Sequence, residues 1–385
     1  MTHFFCFAGE LSGDMHGARL LNALKRHVQP FVVTGVGGPE MRAQGITGTL
    51  NMEDFEVMGF SDVLWALPRL RRQFYQIRDY ILQTVPEVAI FIDSPSFSLR
   101  MARALRKKGY QGKIVQYISP TVWAWGKHRI QEMAETLNLL LTIYPFEESY
   151  FTDTSLRVQY VGNPLLENLT HHRYDSDWQK FFGIKQVNNI VALFPGSRTA
   201  EIERNLPKQI EAAEMLHKES PDTVFAISCA HENHMRLFKN ILQKSNLRHN
   251  KEVFFVPRLY SYDLMRSCRS AIAKSGTVTL ELALHHCPTV VVYEVTWLNR
   301  LIAKYVMRLK LPYYCIVNIL AGKQVYPELI EKGFSAKNLY QHVAALHREG
   351  EERTNCVENC KQVSNLFKEK NSSERAAQAI LELLI

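Results

Sequence analysis

The sequence predicts an α/β chain of two doubly wound, Rossmann-like domains facing a cleft, with helices at its C-terminal end. Three observations predict it. Short apolar, β-rich runs alternate with helical patterns, which marks parallel βαβ units. The alternation stops in a polar stretch and then restarts, so the chain divides in two. Loops carrying Gly and Ser sit just past several of the runs, where open α/β sheets bind their ligands.

Residues 3–8 read as a buried strand, and 14–24 as a helix with Leu20, Leu21 and Leu24 on one face. A strand at 31–34 runs into Gly35-Val36-Gly37-Gly38, and a helix is expected at 65–82. A strand at 88–92 precedes a helix at 97–108 that Gly109 closes. Strands follow at 114–118, 139–143 and 158–161. From Glu167 to Asn189 the chain turns polar, with His171-His172-Arg173 and Asn188-Asn189, and the boundary belongs there. Five further strands are expected at 190–194, 224–228, 253–256, 271–273 and 289–293. Past Pro327 the pattern is helical only, at 336–348 and 373–384. The expected domains are therefore 1–167 and 188–350. A block of helices at 351–385 either returns to the first domain or swaps with a partner chain in a homodimer.

The 385 residues are 46% hydrophobic and 22% charged, a globular composition with enough chain for two cores. The net charge of +8 is concentrated: between Arg69 and Arg129 stand twelve Lys or Arg against three acids. Such a field attracts phosphates, anionic lipid or nucleic acid, although solvated helix faces are the plainer reading of any one residue. RNP-like aromatics, helix-turn-helix signals and zinc fingers are not evident, which argues against a nucleic-acid partner. Seven Cys without a CxxC indicate neither a disulfide framework nor zinc. No apolar run approaches the ~18 residues of a membrane span. Glu10 and Asp14 interrupt the apolar start, which speaks against a secretory signal. A soluble cytosolic chain with reduced thiols, no metal and no cofactor is expected. Asp175-Ser176-Asp177 matches a metal-binding DxD, but in the polar stretch with no strand before it, it reads as linker charge.

Several loops could carry chemistry. Pro195-Gly196-Ser197-Arg198 joins a strand to a helix, so its amides and the helix dipole favour a phosphate that Arg198 could grip. A tight turn with a surface arginine fits as well. Ser275-Gly276-Thr277 repeats the arrangement, and Glu281, one turn further on, could reach a sugar hydroxyl. The pair suits a diphosphate with a ribose attached, and the absence of GxxxxGK[ST] speaks against P-loop ATP hydrolysis. Gly9-Glu10-Leu11-Ser12-Gly13-Asp14 either offers Glu10 and Ser12 to hydroxyls or simply caps a helix. Asp93 ends the third strand: either a carboxylate whose pKa desolvation raises toward that of a useful base, or an N-cap for the next helix. Trp123 and Trp125 form a sugar or acyl platform, or pack their own loop. Finally, Met58, Phe60, Val63, Leu64, Trp65 and Leu67 run into Arg69, Arg71 and Arg72. This is ordinary core, or an apolar segment with an arginine flank suited to a bilayer interface.

Seven pieces, taken in order, resemble the lipid-A-disaccharide synthase family, inverting glycosyltransferases of the GT-B fold. They are Ala8-Gly9-Glu10-Leu11-Ser12-Gly13-Asp14, Val57-Met58-Gly59-Phe60, Ile92-Asp93-Ser94-Pro95, Ser119-Pro120-Thr121-Val122-Trp123-Ala124-Trp125, Pro195-Gly196-Ser197-Arg198, Ser275-Gly276-Thr277 with Leu280-Glu281, and Asn318-Ile319-Leu320-Ala321-Gly322. Ser96 stands where the family typically has Asp, and Ile316-Val317 where it has Leu-Pro.

The resemblance implies a UDP-linked 2,3-diacylglucosamine donor, bound by the second domain, and a diacylglucosamine 1-phosphate acceptor on the first. It implies a β-1,6-linked disaccharide 1-phosphate and UDP as products. It makes Asp93 the base and puts Gly196, Ser197, Arg198, Ser275, Gly276, Thr277, Glu281 and Asn318 on the nucleotide. Glu10, Ser12 and Asp14 shape the acceptor side. The segment from Met58 to Leu67, with its arginines, then docks at an anionic inner-leaflet surface, and the chain is peripheral on the cytoplasmic face of the inner membrane. A UDP-sugar 2-epimerase or a soluble-acceptor glycosyltransferase of the same fold is the alternative, and neither needs an apolar, arginine-edged segment.

Overall fold

A computed structural model describes residues 2–48, 50–55, 60–124, 126–127, 129–185, 188–294 and 312–385. It divides into two compact units: Met1–Thr170 together with Phe367–Ile385, and His171–Leu366.

The first unit is a parallel sheet of β1 (Thr2–Ala8), β2 (Phe31–Val36), β3 (Val88–Ile92), β4 (Lys113–Tyr117), β5 (Leu139–Thr142) and β6 (Arg157–Tyr160), in the order β2-β1-β3-β4-β5-β6. Every residue of β3 is buried, as expected of a strand covered on both faces. Alternation sorts the sheet's side chains between two cores. Phe4, Cys6 and Ala8 share one face with Leu20, Leu21 and Leu24 of α1 (Leu11–His27). Phe5 and Phe7 turn to the other face, with Ile77 and Ile81 of α3 (Phe60–Thr84) and Leu99, Met101 and Leu105 of α4 (Pro95–Lys107). The short α2 (Pro39–Ala43) wedges against α1, where a Cβ on Gly17 would run into the Met41 side chain, with Met41 Cε at 3.0 Å. Further on, α5 (Arg129–Thr136) makes the crossover from β4 to β5, and α6 (Pro164–His171) follows the last strand of the sheet.

After the turn α7 (Trp178–Phe181), the second unit repeats the plan. Its sheet holds β7 (Ile190–Phe194), β8 (Val224–Cys229), β9 (Val253–Pro257), β10 (Ser270–Lys274), β11 (Thr289–Tyr293) and β12 (Glu328–Ile330), in the order β12-β11-β10-β7-β8-β9. Its helices are α8 (Thr199–Glu219), α9 (Met235–Leu242), α10 (Ser261–Ser267), α11 (Thr277–Leu284), α12 (Ile316–Ala321), α13 (Ala336–His347) and α14 (Glu351–Ser364), and α15 (Ser372–Leu381) closes the chain.

Two expectations are corrected. The chain past Pro327 is not helical only: Glu328–Ile330 pairs with β11 as an edge strand. With three residues and one buried side chain, Leu329, it has no alternation to read. Nor do residues 351–385 act as one block. Cys356, Cys360 and Val363 of α14 are buried within the second unit, while α15 lays Ala376, Ala377 and Ile380 into the first unit's core. Glu167 fixes that return. Its carboxylate accepts from Ser372 Oγ at 2.6 Å, Ser373 N at 2.9 Å and Ser373 Oγ at 2.5 Å, at the start of α15. Burial works against the charge, but these donors hold its pKa below the usual value.

Candidate functional site

In the first unit the candidate residues gather at the carboxyl ends of β1, β3 and β4. Asp93 follows β3 with φ +53° and Ser94 with φ +48°, and Ile118 follows the adjacent β4 with φ +73°. Left-handed backbone on non-glycine residues is strained, and such strain collects at functional sites. Here it is held in place. Asp93 N donates to Tyr117 O at 2.9 Å, and Asp93 O accepts from Ser98 Oγ at 2.9 Å and Gln116 Nε2 at 3.0 Å. Gln116 Nε2 also donates to Ile118 O at 3.1 Å, so one buried amide pins both strained strand ends. Nothing in the sequence pattern singled out Gln116, which stands inside an ordinary apolar strand.

Helix α4 begins with Ser94, not Asp93, as its N-cap residue. The Asp93 side chain is half-buried, and burial raises its pKa while the Ser94 amide holds it down. Phe97, in the first turn of α4, packs among aromatic rings. It stacks on Phe7 at 4.0 Å between centroids and meets Phe74 edge-on at 5.6 Å.

Glu10 and Ser12 are exposed at the start of α1, beside this edge. Asp14 is not on the acceptor side as expected. It is fully buried, and its carboxylate accepts from Gly38 N at 2.7 Å, Glu40 N at 2.9 Å and Met41 N at 3.0 Å. It caps α2, with no oxygen turned to a ligand. The spacing that made Asp14 look like a loop ligand is that of a residue already inside its helix.

Trp123 packs its own region, edge-on to Phe146 at 5.7 Å, and Trp125 lies outside the described residues. Beneath it Glu147 is buried and accepts from Ile143 N at 3.1 Å and Tyr144 N at 3.0 Å. Burial outweighs these bonds and pushes its pKa up to about 7. A raised carboxyl pKa means stability present below the unfolded value and lost as pH rises through 7. Glu147→Gln is therefore expected to hold its Tm between pH 5 and 8 where the parent's falls, a difference on the order of 3 kcal/mol at the upper end. Thermal melts across that range check it, and parallel curves would contradict it.

Met58 lies outside the described residues, and so do the side chains of Phe60, Val63, Leu64 and Trp65. Further along α3, Leu67 is 51% exposed, and Arg69, Arg71 and Arg72 stand on the surface. Arg71 and Arg78 flank the exposed Tyr75 ring at 5.8 and 4.7 Å.

In the second unit, β10 pairs directly with β7, so the two Gly-Ser loops stand side by side. Gly196 has φ +125°, and a Cβ there would lie 2.6 Å from Glu201 Oε2, so the turn admits only glycine. Arg198 is exposed as the N-cap residue of α8. Across the gap, Ser275 N donates to Val292 O at 2.9 Å. The loop's further backbone donors include the Gly276 and Thr277 amides at the start of α11, where helix geometry supplies no acceptor. A residue that the loop reading passed over joins the two loops. Glu201 Oε1 lies 3.1 Å from Lys274 Nζ, and Glu201 Oε2 accepts from Ser197 N at 3.2 Å. Burial opposes its charge, yet Lys274 and the Ser197 and Arg198 amides hold its pKa below normal. The only signal in the sequence is an acid in the first turn of α8 and a lysine ending β10, each with a plainer local explanation.

Glu281 is half-buried on α11, with Tyr262 Oη donating to its Oε1 at 3.0 Å. Burial raises its pKa, against that bond and the nearby Arg258. Asn318 is corrected. It is fully buried; its Oδ1 accepts from Val325 N and Tyr326 N, both at 2.8 Å, and its Nδ2 donates to Tyr326 O at 2.8 Å and Glu328 Oε1 at 2.7 Å. With its amide saturated within the protein, it staples α12 to the approach to β12 and leaves no polar atom turned outward to a nucleotide. Asp175 and Asp177 sit in their own turn, with Asp177 paired to Lys180 at 2.6 Å. Among the described residues, no group of three or more His, Cys, Asp or Glu could hold a metal ion.

A model of the lipid-A-disaccharide synthetase family matches residues 4–383. The chain belongs to this family. A lipid-A-disaccharide synthase of Chlamydia pneumoniae is 37% identical over 94% of this chain and 60% of its own length. The chain thus spans between about half and three fifths of the length of the chlamydial relatives it matches. One from Anaeromyxobacter dehalogenans is 32% identical over 98% of this chain and 96% of its own. Among solved structures, a UDP co-structure of S. aureus MnaA covers 100% of this chain and 97% of its own at 14% identity, with a TM-score of 0.67. The glycotransferase of kitacinnamycin covers 100% and 99% at 12% identity, with a TM-score of 0.66. These bear out the GT-B expectation for the fold. No described helix is long and apolar enough to cross a membrane.

Proposed function

We propose that the chain moves 2,3-diacylglucosamine from its UDP conjugate to 2,3-diacylglucosamine 1-phosphate, releasing UDP and a β-1,6-linked disaccharide 1-phosphate. The observation that carries this reading is the pair of adjoining loops on β7 and β10, with Arg198 at one and Lys274 at the other. In the reaction, the acceptor's 6-oxygen attacks the donor's anomeric carbon from the face opposite UDP. The bond from that carbon to the phosphate oxygen breaks, and configuration inverts. Asp93 takes the hydroxyl proton, and its desolvated carboxylate is the more basic for it. Charge grows on the departing UDP, where Arg198 and the amides of Gly276 and Thr277 stabilise it. Glu281 accepts from a ribose hydroxyl, its carboxylate oriented by Tyr262. Glu10 and Ser12 meet the acceptor.

Both substrates carry two acyl chains and reside in a membrane. Leu67 and the arginines of α3 suit docking on an anionic inner leaflet, with apolar side chains entering the acyl boundary and guanidinium groups meeting phosphates. The reading places the chain on the cytoplasmic face of the inner membrane.

Arg198→Ala is expected to weaken UDP binding by roughly 10-fold or more, the scale of one lost charge-assisted bond. Titration calorimetry with UDP checks it, and an unchanged affinity removes Arg198 from the nucleotide.

A further inference from the structure

Glu201 stands out because its carboxylate is already bound to what an anionic ligand of these loops would need. Oε2 takes the Ser197 amide at 3.2 Å and Oε1 the Lys274 ammonium at 3.1 Å. The pair is sheltered, with the side chains 15% and 24% exposed. Glu201 also fills the space beside Gly196 that a Cβ would occupy. A diphosphate is a stronger anion than a carboxylate and seeks the same donors. Taking them sets it against the Glu201 carboxylate, because two anions gathered on one ammonium repel.

We propose that Glu201 competes with the donor's diphosphate for Lys274 and the Ser197 amide, and that Lys274 passes from Glu201 to the diphosphate when UDP binds. This rests on the reading of the two loops as a UDP site. Lys274 is the last residue of β10, so its chain is anchored at the sheet edge while its ammonium moves. Its neighbour on the far side is the Tyr293 ring at 5.7 Å, which offers the cation a second, weaker seat during exchange. The exchange keeps the lysine neutralised in both arrangements but takes the cation from the sheltered Glu201 carboxylate, which keeps only the Arg198 amide, and that cost is set against donor binding. It also makes donor affinity a difference between two anions, a setting that favours release of UDP after transfer.

The test is calorimetric titration of UDP into the full-length chain and three variants, each confirmed as folded by its melting curve. Glu201→Gln keeps an acceptor for Ser197 but removes the competing charge, and UDP affinity is expected to rise about 5-fold or more. Lys274→Met is expected to lower it about 10-fold, and Lys274→Arg, which keeps the charge, to restore most of it. If Glu201→Gln weakens UDP binding, Glu201 merely scaffolds the loop and the proposal is overturned. Lys274→Met binding like the parent overturns it equally. Should Lys274→Met fail to fold, Glu201→Gln and Lys274→Arg still decide. A parent chain that does not bind UDP would instead remove the loop reading itself.

Discussion

Asp93→Asn is expected to cut turnover by at least ~100-fold while leaving UDP affinity as it was, the usual scale for losing a general base. The substitution keeps the side chain's shape, and Asn tolerates the left-handed backbone observed at this position. Asp93 is desolvated, so its folded pKa lies above the ordinary value. A carboxyl raised in this way contributes stability below its unfolded pKa and loses it as pH rises through the folded one. Near neutral pH the parent therefore bears a cost that Asn lacks, and the variant should melt no lower than the parent. The base works only when ionised, so turnover should fall as the solution is acidified through that raised pKa, earlier than for an exposed aspartate. Loss of turnover without loss of Tm separates chemistry from damage. A variant that turns over normally removes Asp93 from the role.

Asp14→Ala should do the opposite, harming the fold before the chemistry. Three backbone N–H groups, on Gly38, Glu40 and Met41, would lose their acceptor inside the protein. Leaving such donors buried and unpaired costs on the order of 3–5 kcal/mol. In a unit of this size that is a fall in Tm of roughly 6–20 °C. Asp14→Asn, which keeps one acceptor oxygen, should fall between. The geometry is tight: a Cβ on Gly38 would lie 2.5 Å from Asp14 Oδ2, so the glycine run after β2 exists to let this carboxylate in. An Asp14→Ala protein with an unaltered melt and a weakened acceptor KM would put Asp14 back among the ligand contacts.

Asp14 and Asn318 show where sequence reading stops. Both stand in motifs that resemblance assigns to ligands, but Asp14 spends its carboxylate on backbone amides 24 or more positions away, and Asn318 spends its amide on Val325, Tyr326 and the Glu328 carboxylate. A motif fixes which residue type is needed, not which partner needs it. Partners such as Gly38 for Asp14, 24 positions away, emerge only when the chain is folded. The strands were legible because five-residue apolar runs such as Val88–Ile92 are buried on both faces and admit little else. The three residues of β12 carry no such signature, since an edge strand with one buried side chain looks like loop. The β7 loop was legible as a tight strand-helix junction because its left-handed backbone at Gly196 admits only glycine. The ion pair that links it to the β10 loop was not, because Glu201 and Lys274 are 73 positions apart and each has a plainer local explanation.

The most direct measurement is mass spectrometry of the products formed from UDP-2,3-diacylglucosamine and 2,3-diacylglucosamine 1-phosphate, with the Asp93→Asn variant in parallel. The expected result is a tetraacyl disaccharide 1-phosphate appearing in step with UDP in the parent and nearly none in the variant. A parent that converts the UDP-sugar to an epimer of the same mass, or frees UDP without joining the two sugars, would contradict the account.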